Sequence, residues 1–593
     1  MLARVNDLLK KYHALASWLL ILVAVVFYQG ALKCGFVSDD VEQILKNPFI
    51  KNPHLWMRIF SGRVWSFAGG AAQAKFYRPL HIFTYWLISR AAGSNPFAYH
   101  LIQLALYALT TWVVYRIARQ LLQNELAAFS GALLWTLHPL HVEAIAWAAA
   151  IPEVGCALFC LLGFWMFLRA ERHSPPNLRG HVAAALVYFP ALFFKEVAFS
   201  FPLLLLAYWF CFPSAESWRR RAIHWLPYWG AVAVCSAIRL SVMGNVSVAS
   251  LSREFNPQVV WVAVGLLGQH ARLFFWPVHL NVFRTFDLAP SLRSPWPWAA
   301  LLMIAATCQG RKREPRLSFL ALWWFVTLLP CLNYRYLSIP LVADRFSYLP
   351  SVGLCLALAY LVSEWLPRHL PNQYPVRVAA PALAVVAALW GVQTLRTIPH
   401  WQDNDALSNY SLTVSPNAAE MHIAHAVNLQ LQKRDLDGAA LEFQTALRLN
   451  AQSIRPAAAV TYNAYVGLGQ IALLQGREQE ALDDFNKAAR LLPDSPFAYA
   501  VLGSVYFPRG DYARAADYFQ QVVRLDPLDI GARFYLGTCW MKMDKPAQAA
   551  EQFHAAREVD PAYFQAYTAE AAALDAAGDE AGAARVRREI PPK

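Results

Sequence analysis

Two adjacent carboxylates, Asp39 and Asp40, lie a few residues after the first long apolar run, in the sequence GFVSDDVEQIL. A carboxylate placed at a membrane surface can accept the proton of an attacking hydroxyl, so the pair is a candidate general base. Asp39 with Glu42 also matches a helix capping box, in which such residues only close a helix terminus. The pair alone leaves catalysis and capping both open.

Other polar residues suited to binding a substrate lie beside apolar runs in the first 350 residues. They are Arg78, His138, His141, Glu143, Glu153, Lys195, Glu196, Arg345 and Tyr348. Each has an ordinary explanation, such as a proline-bent helix end, an ion pair that caps a hairpin, or a side chain anchored among lipid headgroups. Charges in apolar surroundings are costly, and for this reason a functional role is the default interpretation of the Lys195–Glu196 pair.

Taken together, these side chains suit the transfer of a sugar from a lipid phosphate. Arg78, Lys195 and Arg345 would stabilise the charge that grows on the leaving phosphate. Asp39 or Asp40 would accept the proton of the acceptor hydroxyl, and a single displacement opposite the phosphate would invert the anomeric centre. The sequence holds no nucleotide-binding fingerprint, which agrees with a lipid-linked donor.

The elements that must position these residues lie in two regions of different composition, which meet near residue 400. Up to that point Lys and Arg number 34 against 15 Asp and Glu, whereas from residue 401 they number 18 against 24. The first region contains apolar runs long enough to cross a hydrocarbon core about 30 Å thick. Because its basic residues lie in short loops between those runs, they indicate membrane topology and exclude a nucleic-acid partner.

Eleven membrane spans are predicted, at 14–33, 97–118, 127–147, 151–170, 181–195, 197–213, 222–243, 296–309, 317–333, 350–366 and 376–395. With a cytoplasmic amino terminus, every basic cluster falls in a cytoplasmic loop, as the positive-inside rule requires. This topology places the 34–96 loop, the 334–349 loop and the carboxy-terminal region on the non-cytoplasmic face. Segments 79–92 and 259–278 are predicted to be surface-lying or re-entrant, and whether they cross the membrane stays open.

The region after residue 400 repeats with a period of 34 residues. Pro493, Pro527 and Pro561 keep this spacing, as do Phe485, Phe519 and Phe553. This is the period of the tetratricopeptide repeat (TPR), a pair of helices that stacks on its neighbours into a solenoid. About five repeats are predicted over 401–593, with a nine-residue insertion near 451–460, and a protein or peptide is expected in their groove.

The motifs in their order resemble the transmembrane and TPR-containing O-mannosyltransferases of the C-type glycosyltransferase (GT-C) superfamily. They are FVSDD at 36–40, FYRPL at 76–80, HPLHVEA at 138–144, FFKE at 193–196 and ADRFSYLPSVG at 343–353. The resemblance implies a polyprenyl-phosphate-linked hexose donor, with mannose expected, and transfer to Ser or Thr hydroxyls of proteins outside the cytoplasm. It also implies that the first outer loop supplies the catalytic carboxylate, at Asp39 or Asp40.

The predicted fold class is all-α. A GT-C-like polytopic bundle over 1–400, with about eleven spans plus re-entrant or juxtamembrane helices, carries catalysis and is followed by the TPR solenoid over 401–593. The expected location is an integral membrane of the bacterial inner-membrane type, with the repeats periplasmic or otherwise non-cytoplasmic. Membrane lipids are therefore partners as well.

Two other functions stay open. One is a non-enzymatic TPR scaffold for envelope assembly, and the other is a glycan ligase or polymerase that uses a lipid diphosphate. The second class is expected to need a long late outer loop, whereas 334–349 is short. No obligatory metal is expected, although Asp39, Asp40 and Glu143 offer oxygen ligands of the kind that Mg²⁺ or Mn²⁺ takes.

Overall fold

The computed structural model describes residues 2–64, 76–173, 177–213, 217–243, 258–333, 340–369, 376–453 and 456–590. These ranges are helical, with short connections and no strand, so the predicted all-α class is confirmed. Residues 65–75 of the predicted first outer loop, 334–339 of the predicted late loop and 454–455 of the predicted insertion lie outside the described residues.

Six described helices are long and apolar enough to cross a membrane, which supports an integral membrane protein. They are His13–Lys33, Pro96–Leu122, Ala148–Glu171, Trp218–Met243, Pro315–Leu332 and Ala380–Trp401. Each coincides with one of the eleven predicted spans. The other five predicted spans fall on shorter helices, namely Glu125–Leu137, Leu178–Tyr188, Phe201–Cys211, Trp296–Gly310 and Ser351–Tyr360.

Proline explains where one of these shorter helices ends. The predicted span 127–147 stops at Leu137, because Pro139 follows His138 and the chain then makes a 3₁₀ turn at Pro139–His141. The segments 79–92 and 259–278, whose crossing was left open, form the helices Pro79–Ala92 and Gln258–Phe275. Neither is among the six candidate spans.

The chain packs as two compact units. The first comprises residues 1–44 and 78–418, and it contains all six long apolar helices. Its interior is rich in aromatic side chains, with Trp135, Trp323 and Trp324 almost fully buried. The predicted division into a catalytic region over 1–400 and a repeat region over 401–593 stays a prediction, because packing alone does not assign an activity.

The second unit comprises residues 45–77 and 419–593. Its carboxy-terminal part has five consecutive helix pairs: Ala419–Asn428 with Leu436–Gln452, Ala458–Leu474 with Glu478–Leu491, Pro496–Tyr506 with Tyr512–Leu525, Ile530–Lys542 with Pro546–Val559, and Phe564–Ala576 with Glu580–Arg588. Residues 45–77 belong to the same unit, where Asn52 Nδ2 donates a hydrogen bond of 2.7 Å to the carbonyl of Val559.

Small and aromatic residues explain the 34-residue period. A Cβ atom added to Gly469 would lie 2.6 Å from the ring of Phe485, and one added to Gly537 would lie 2.8 Å from Phe553. Real Cβ atoms do not approach other atoms so closely. These repeats therefore need glycine on their first helix, because the phenylalanine of the second helix packs directly against that backbone.

Candidate active site

Asp40 is fully buried, and backbone amides donate hydrogen bonds to both oxygens of its carboxylate. Its Oδ2 accepts a hydrogen bond from the amide of Val37 at 3.0 Å, and its Oδ1 accepts one from the amide of Ala149 at 2.6 Å. Burial raises the pKa of Asp40 well above its usual value, while the amide donors oppose that shift. Asp40 thus ties the first loop to the 3₁₀ turn that precedes the helix Ile151–Glu171.

Asp39 has a different environment. Its side chain is half-buried, and among the described residues its carboxylate has no hydrogen-bond partner. Burial raises the pKa of Asp39, whereas the positive charge of Arg345 lowers it and Glu42 raises it further. Ser38 precedes the pair with φ of 51°, in the left-handed region, and its amide donates to Asn404 Oδ1 at 2.8 Å. The two aspartates that follow this turn therefore have different surroundings.

Arg345 is the centre of a buried charge network. Its backbone amide donates to Glu143 Oε2 at 2.8 Å, and its guanidinium pairs with the other oxygen of that carboxylate. The guanidinium Nε also lies 3.6 Å from Glu153 Oε1, and Glu153 in turn pairs with Lys195. Burial lowers the pKa of Arg345, but Glu143 and Glu153 outweigh it and raise the pKa above its usual value. Two cations and two carboxylates thus meet near Asp39.

Aromatic rings cover both cations of this network. The Arg345 guanidinium lies 5.0 Å from the ring centre of Trp147 and 5.1 Å from that of Phe346. Lys195 Nζ lies 4.9 Å from the centre of the same Phe346 ring. Ring faces attract cations, so these contacts hold the two positive groups in place without using their hydrogen-bond donors.

A second cluster joins Arg78, Glu196 and Arg239. Arg78 donates from Nε at 2.9 Å and from Nη2 at 2.5 Å to Glu196 Oε2, and Arg239 lies 3.2 Å from Glu196 Oε1. Burial raises the pKa of Glu196, but the two guanidiniums outweigh it and lower the pKa to about 2. Two cations share one ionised carboxylate in this cluster. Because Glu196 follows Lys195 directly, it adjoins the Arg345 network.

The turn that carries Arg345 is anchored by a further ion pair. Arg284 Nη2 lies 2.9 Å from Asp344 Oδ1, and the amide of Asn281 donates to Asp344 Oδ2 at 3.1 Å. These contacts fix the 3₁₀ turn Asp344–Ser347. Arg345 is therefore positioned from both sides, by Asp344 before it in the chain and by Glu143 across the network.

Sequence reasoning missed Arg239 and Arg284. A signal for Arg239 exists, since it is a single charge in the predicted span 222–243, and a charge within a span indicates function by default. Arg284 has no comparable signal. It follows the segment 259–278 and belongs to none of the recognised motifs.

The predicted ligands His138, His141 and Tyr348 lie inside the bundle. The ring centre of His138 is 4.1 Å from that of Trp390. His141 Nε2 lies 2.9 Å from Ser351 Oγ, and its ring centre is 4.9 Å from that of Tyr348. All three side chains are buried, and their contacts are those of a packed aromatic layer. Their role as substrate ligands stays a prediction, and the contacts that the structure shows are structural.

The expected oxygen ligands of a divalent cation do not form a free donor set in this arrangement. Both oxygens of Asp40 accept backbone amides, and both oxygens of Glu143 contact Arg345. Only Asp39 of the three retains an unengaged carboxylate within the described ranges. The expectation that no metal is obligatory stays a prediction.

Residues 77–240 match the family described as dolichyl-phosphate-mannose-protein mannosyltransferase, and residues 426–496 and 506–576 match tetratricopeptide repeats. The chain thus combines a mannosyltransferase-like region with TPRs, and the predicted resemblance is confirmed. The first of these regions contains Arg78, the HPLH motif, Lys195, Glu196 and Arg239, which places most of the site described above within it.

Relatives with curated names support the same resemblance. A protein O-mannosyl-transferase of Caenorhabditis elegans is 25% identical over 421 residues, which cover 68% of this chain and 58% of that protein. Protein O-mannosyl-transferase TMTC1 of Homo sapiens is 34% identical over 160 residues, which cover 26% of this chain and 18% of that protein. The chain spans less than two thirds of the length of either relative.

Solved structures that resemble part of the chain include the crystal structure of MamA protein, at 20% identity and a TM-score of 0.25. The similarity covers 29% of this chain and 89% of MamA. A similarity of this size carries no argument about function.

Proposed function

We propose that the chain transfers mannose from a polyprenyl-phosphate donor to the hydroxyl of a Ser or Thr in a protein acceptor, with inversion at the anomeric carbon. The observation that supports this proposal is the contrast between the two aspartates. Asp40 is held by backbone amides, whereas Asp39 is half-buried, keeps an unengaged carboxylate and lies in the field of Arg345. The relatives named as protein O-mannosyl-transferases supply the sugar and the acceptor class.

Asp39 acts as the general base in this proposal. The acceptor oxygen forms a bond to the anomeric carbon while the bond from that carbon to the phosphate oxygen breaks, and its electron pair stays on the phosphate. The acceptor proton moves to the Asp39 carboxylate. Because burial raises the pKa of Asp39, its carboxylate is a stronger base than an exposed aspartate.

The cluster of Arg78, Glu196 and Arg239 is the proposed phosphate site. Its two guanidiniums both contact Glu196, and guanidinium groups present several N–H donors that suit phosphate oxygens. Arg345 and Lys195 are matched by Glu143 and Glu153, and their part is to stabilise the negative charge that develops on the leaving phosphate.

The proposed topology keeps the amino terminus cytoplasmic and places the reaction and the repeats on the non-cytoplasmic face. Five stacked helix pairs present a surface suited to a polypeptide acceptor. Accessibility labelling of single introduced cysteines, one in the 41–47 region and one at the end of Glu580–Arg588, tests this arrangement. The proposed topology predicts that each introduced cysteine reacts with a membrane-impermeant thiol reagent in intact cells.

Transfer of mannose from polyprenyl-phosphate-mannose to a Ser/Thr peptide tests the function directly. The proposal expects product with the opposite anomeric configuration to the donor, determined by nuclear magnetic resonance, and no use of lipid-diphosphate oligosaccharides. Transfer from the diphosphate donor alone identifies a ligase or polymerase instead. Full rescue of a deletion strain by full-length Asp39→Asn identifies a scaffold whose function does not depend on this base.

A further inference from the structure

Three side chains that can ligate a metal converge at the other end of the helix that begins near the candidate active site. Glu171 is the last residue of Ile151–Glu171, His181 lies in Leu178–Tyr188, and His224 lies in Trp218–Met243. Each residue offers one ligand atom, and the three atoms lie within 4.8 Å of one another. At 1.5 Å per residue, Glu171 is about 27 Å along the helix from Glu153, so this cluster is separate from the transfer site.

The spacing of two of these atoms is that of ligands on one ion. Glu171 Oε1 and His181 Nε2 lie 3.2 Å apart, yet they do not have hydrogen-bond geometry, and neither atom has another partner in the described ranges. Two ligands of a tetrahedral zinc ion with bonds of about 2.0 Å are about 3.3 Å apart. The His181 side chain is completely buried, so solvent does not satisfy its nitrogen.

Outer contacts orient both of these ligands. His181 Nδ1 lies 3.3 Å from the hydroxyl of Tyr228, and Trp209 Nε1 donates to Glu171 Oε2 at 3.1 Å. When Nδ1 carries the proton and donates it to Tyr228, the lone pair of Nε2 faces the Glu171 carboxylate. Two electron-rich atoms 3.2 Å apart repel each other unless a cation lies between them.

His224 completes the set. Its ring is buried and stacks on that of His181, with ring centres 4.6 Å apart and an angle of 14° between the planes. Two histidines and a glutamate on three different helices are a donor set that zinc accepts with a fourth position left for water. Magnesium and calcium prefer oxygen ligands only, so imidazole nitrogens disfavour both.

We propose that Glu171, His181 and His224 bind one Zn²⁺ ion. The ion joins the ends of three helices at the side opposite the transfer site, on the predicted cytoplasmic face. At about 27 Å from Glu153 it is too distant to touch the reacting atoms, so its role is to hold those helix ends together.

Metal content of the full-length protein tests the proposal. The protein, purified in detergent, is dialysed against a chelator, reloaded with Zn²⁺ alone, and analysed by mass spectrometry for metal. We expect one zinc ion per wild-type chain and its loss in Glu171→Gln and in His181→Ala. The control is His173→Ala, which removes an exposed histidine two residues from Glu171 and should retain the ion.

Thermal unfolding distinguishes loss of the ion from loss of the fold. Zn²⁺ should raise the Tm of the chelated wild-type protein and of His173→Ala, because a ligand that binds the folded state stabilises it. Zn²⁺ should leave the Tm of Glu171→Gln unchanged. That variant should still unfold cooperatively, which would show that it is folded. Equal zinc content in wild type and Glu171→Gln, an equal response of their Tm values, or no zinc in the wild type overturns the proposal.

Discussion

The backbone amide of Ala149 donates a hydrogen bond of 2.6 Å to Asp40 Oδ1, across 109 residues of sequence. This bond holds the first loop against the start of the helix Ile151–Glu171, which also carries Glu153. Asp39 is placed beside the Arg345 network because its neighbour is fixed in this way. The two aspartates therefore differ in environment, and the roles that we propose for them are positional for Asp40 and chemical for Asp39.

Replacement of Asp40 should lower stability more than replacement of Asp39. Asp40→Ala leaves the amides of Val37 and Ala149 buried without an acceptor, at a cost of about 1–3 kcal/mol for each group. Asp39→Ala removes no hydrogen bond among the described residues. Thermal unfolding in detergent should show a large fall in Tm for the first variant and a small change for the second; equal falls contradict the assigned roles.

The pairing of Glu143 with Arg345 should be costly to break from one side. Glu143→Leu leaves the Arg345 guanidinium buried beside Glu153 alone, and loss of one partner of a buried pair costs about 3–5 kcal/mol. Glu143→Gln keeps the shape of the side chain and a hydrogen-bond acceptor, so this variant should lose less stability than Glu143→Leu. Unfolding of both variants in denaturant measures the difference, and indistinguishable stabilities would show that the pair is not buried in the working protein.

Arg239 should contribute to donor binding. Arg239→Gln removes one of the two cations that share Glu196, so we expect the KM for the polyprenyl-phosphate donor to rise at least about tenfold, in line with loss of one charge-assisted contact. The matched control is Arg90→Gln, which removes an exposed arginine. A steady-state titration of the donor with each variant provides the measurement, and an unchanged KM for Arg239→Gln removes this residue from the phosphate site.

The pH dependence of transfer should respond to Glu42. Asp39 must be ionised to accept a proton, so the rate falls as the pH falls through the pKa of Asp39, which burial raises above its ordinary value of about 3.9. The charge of Glu42 raises that pKa further. Glu42→Gln should therefore move the acid limb of the kcat/KM profile to lower pH and leave the plateau unchanged. A shift to higher pH would contradict the assignment of Asp39 as the base.

Much of the fold followed from patterns of residue type. Apolar runs predicted the long helices and the 34-residue spacing predicted the repeats, because length and period are local properties of the sequence. The bounds of the helices were less well predicted. Pro139 ends a helix that hydropathy alone extends to residue 147, since apolarity does not report where the backbone can remain helical.

The candidate site was predicted as a set of residues but not as a set of pairs. Asp39 and Asp40 look equivalent in the sequence, whereas the amide donors of Val37 and Ala149 that distinguish Asp40 meet it only in the folded chain. The partners Arg239 and Arg284 lie 43 and 60 residues from Glu196 and Asp344, so their contacts appear only after folding. The buried positions of His138 and His141 depend on packing in the same way.

The most direct test of the account is the rate of mannose transfer by Asp39→Asn in a single turnover with saturating donor. Loss of a general base should lower this rate by about 10²- to 10⁴-fold, while donor binding and Tm stay close to those of the wild type. A rate for Asp39→Asn within a few-fold of the wild-type rate would contradict the account, because Asp39 would then not be the base.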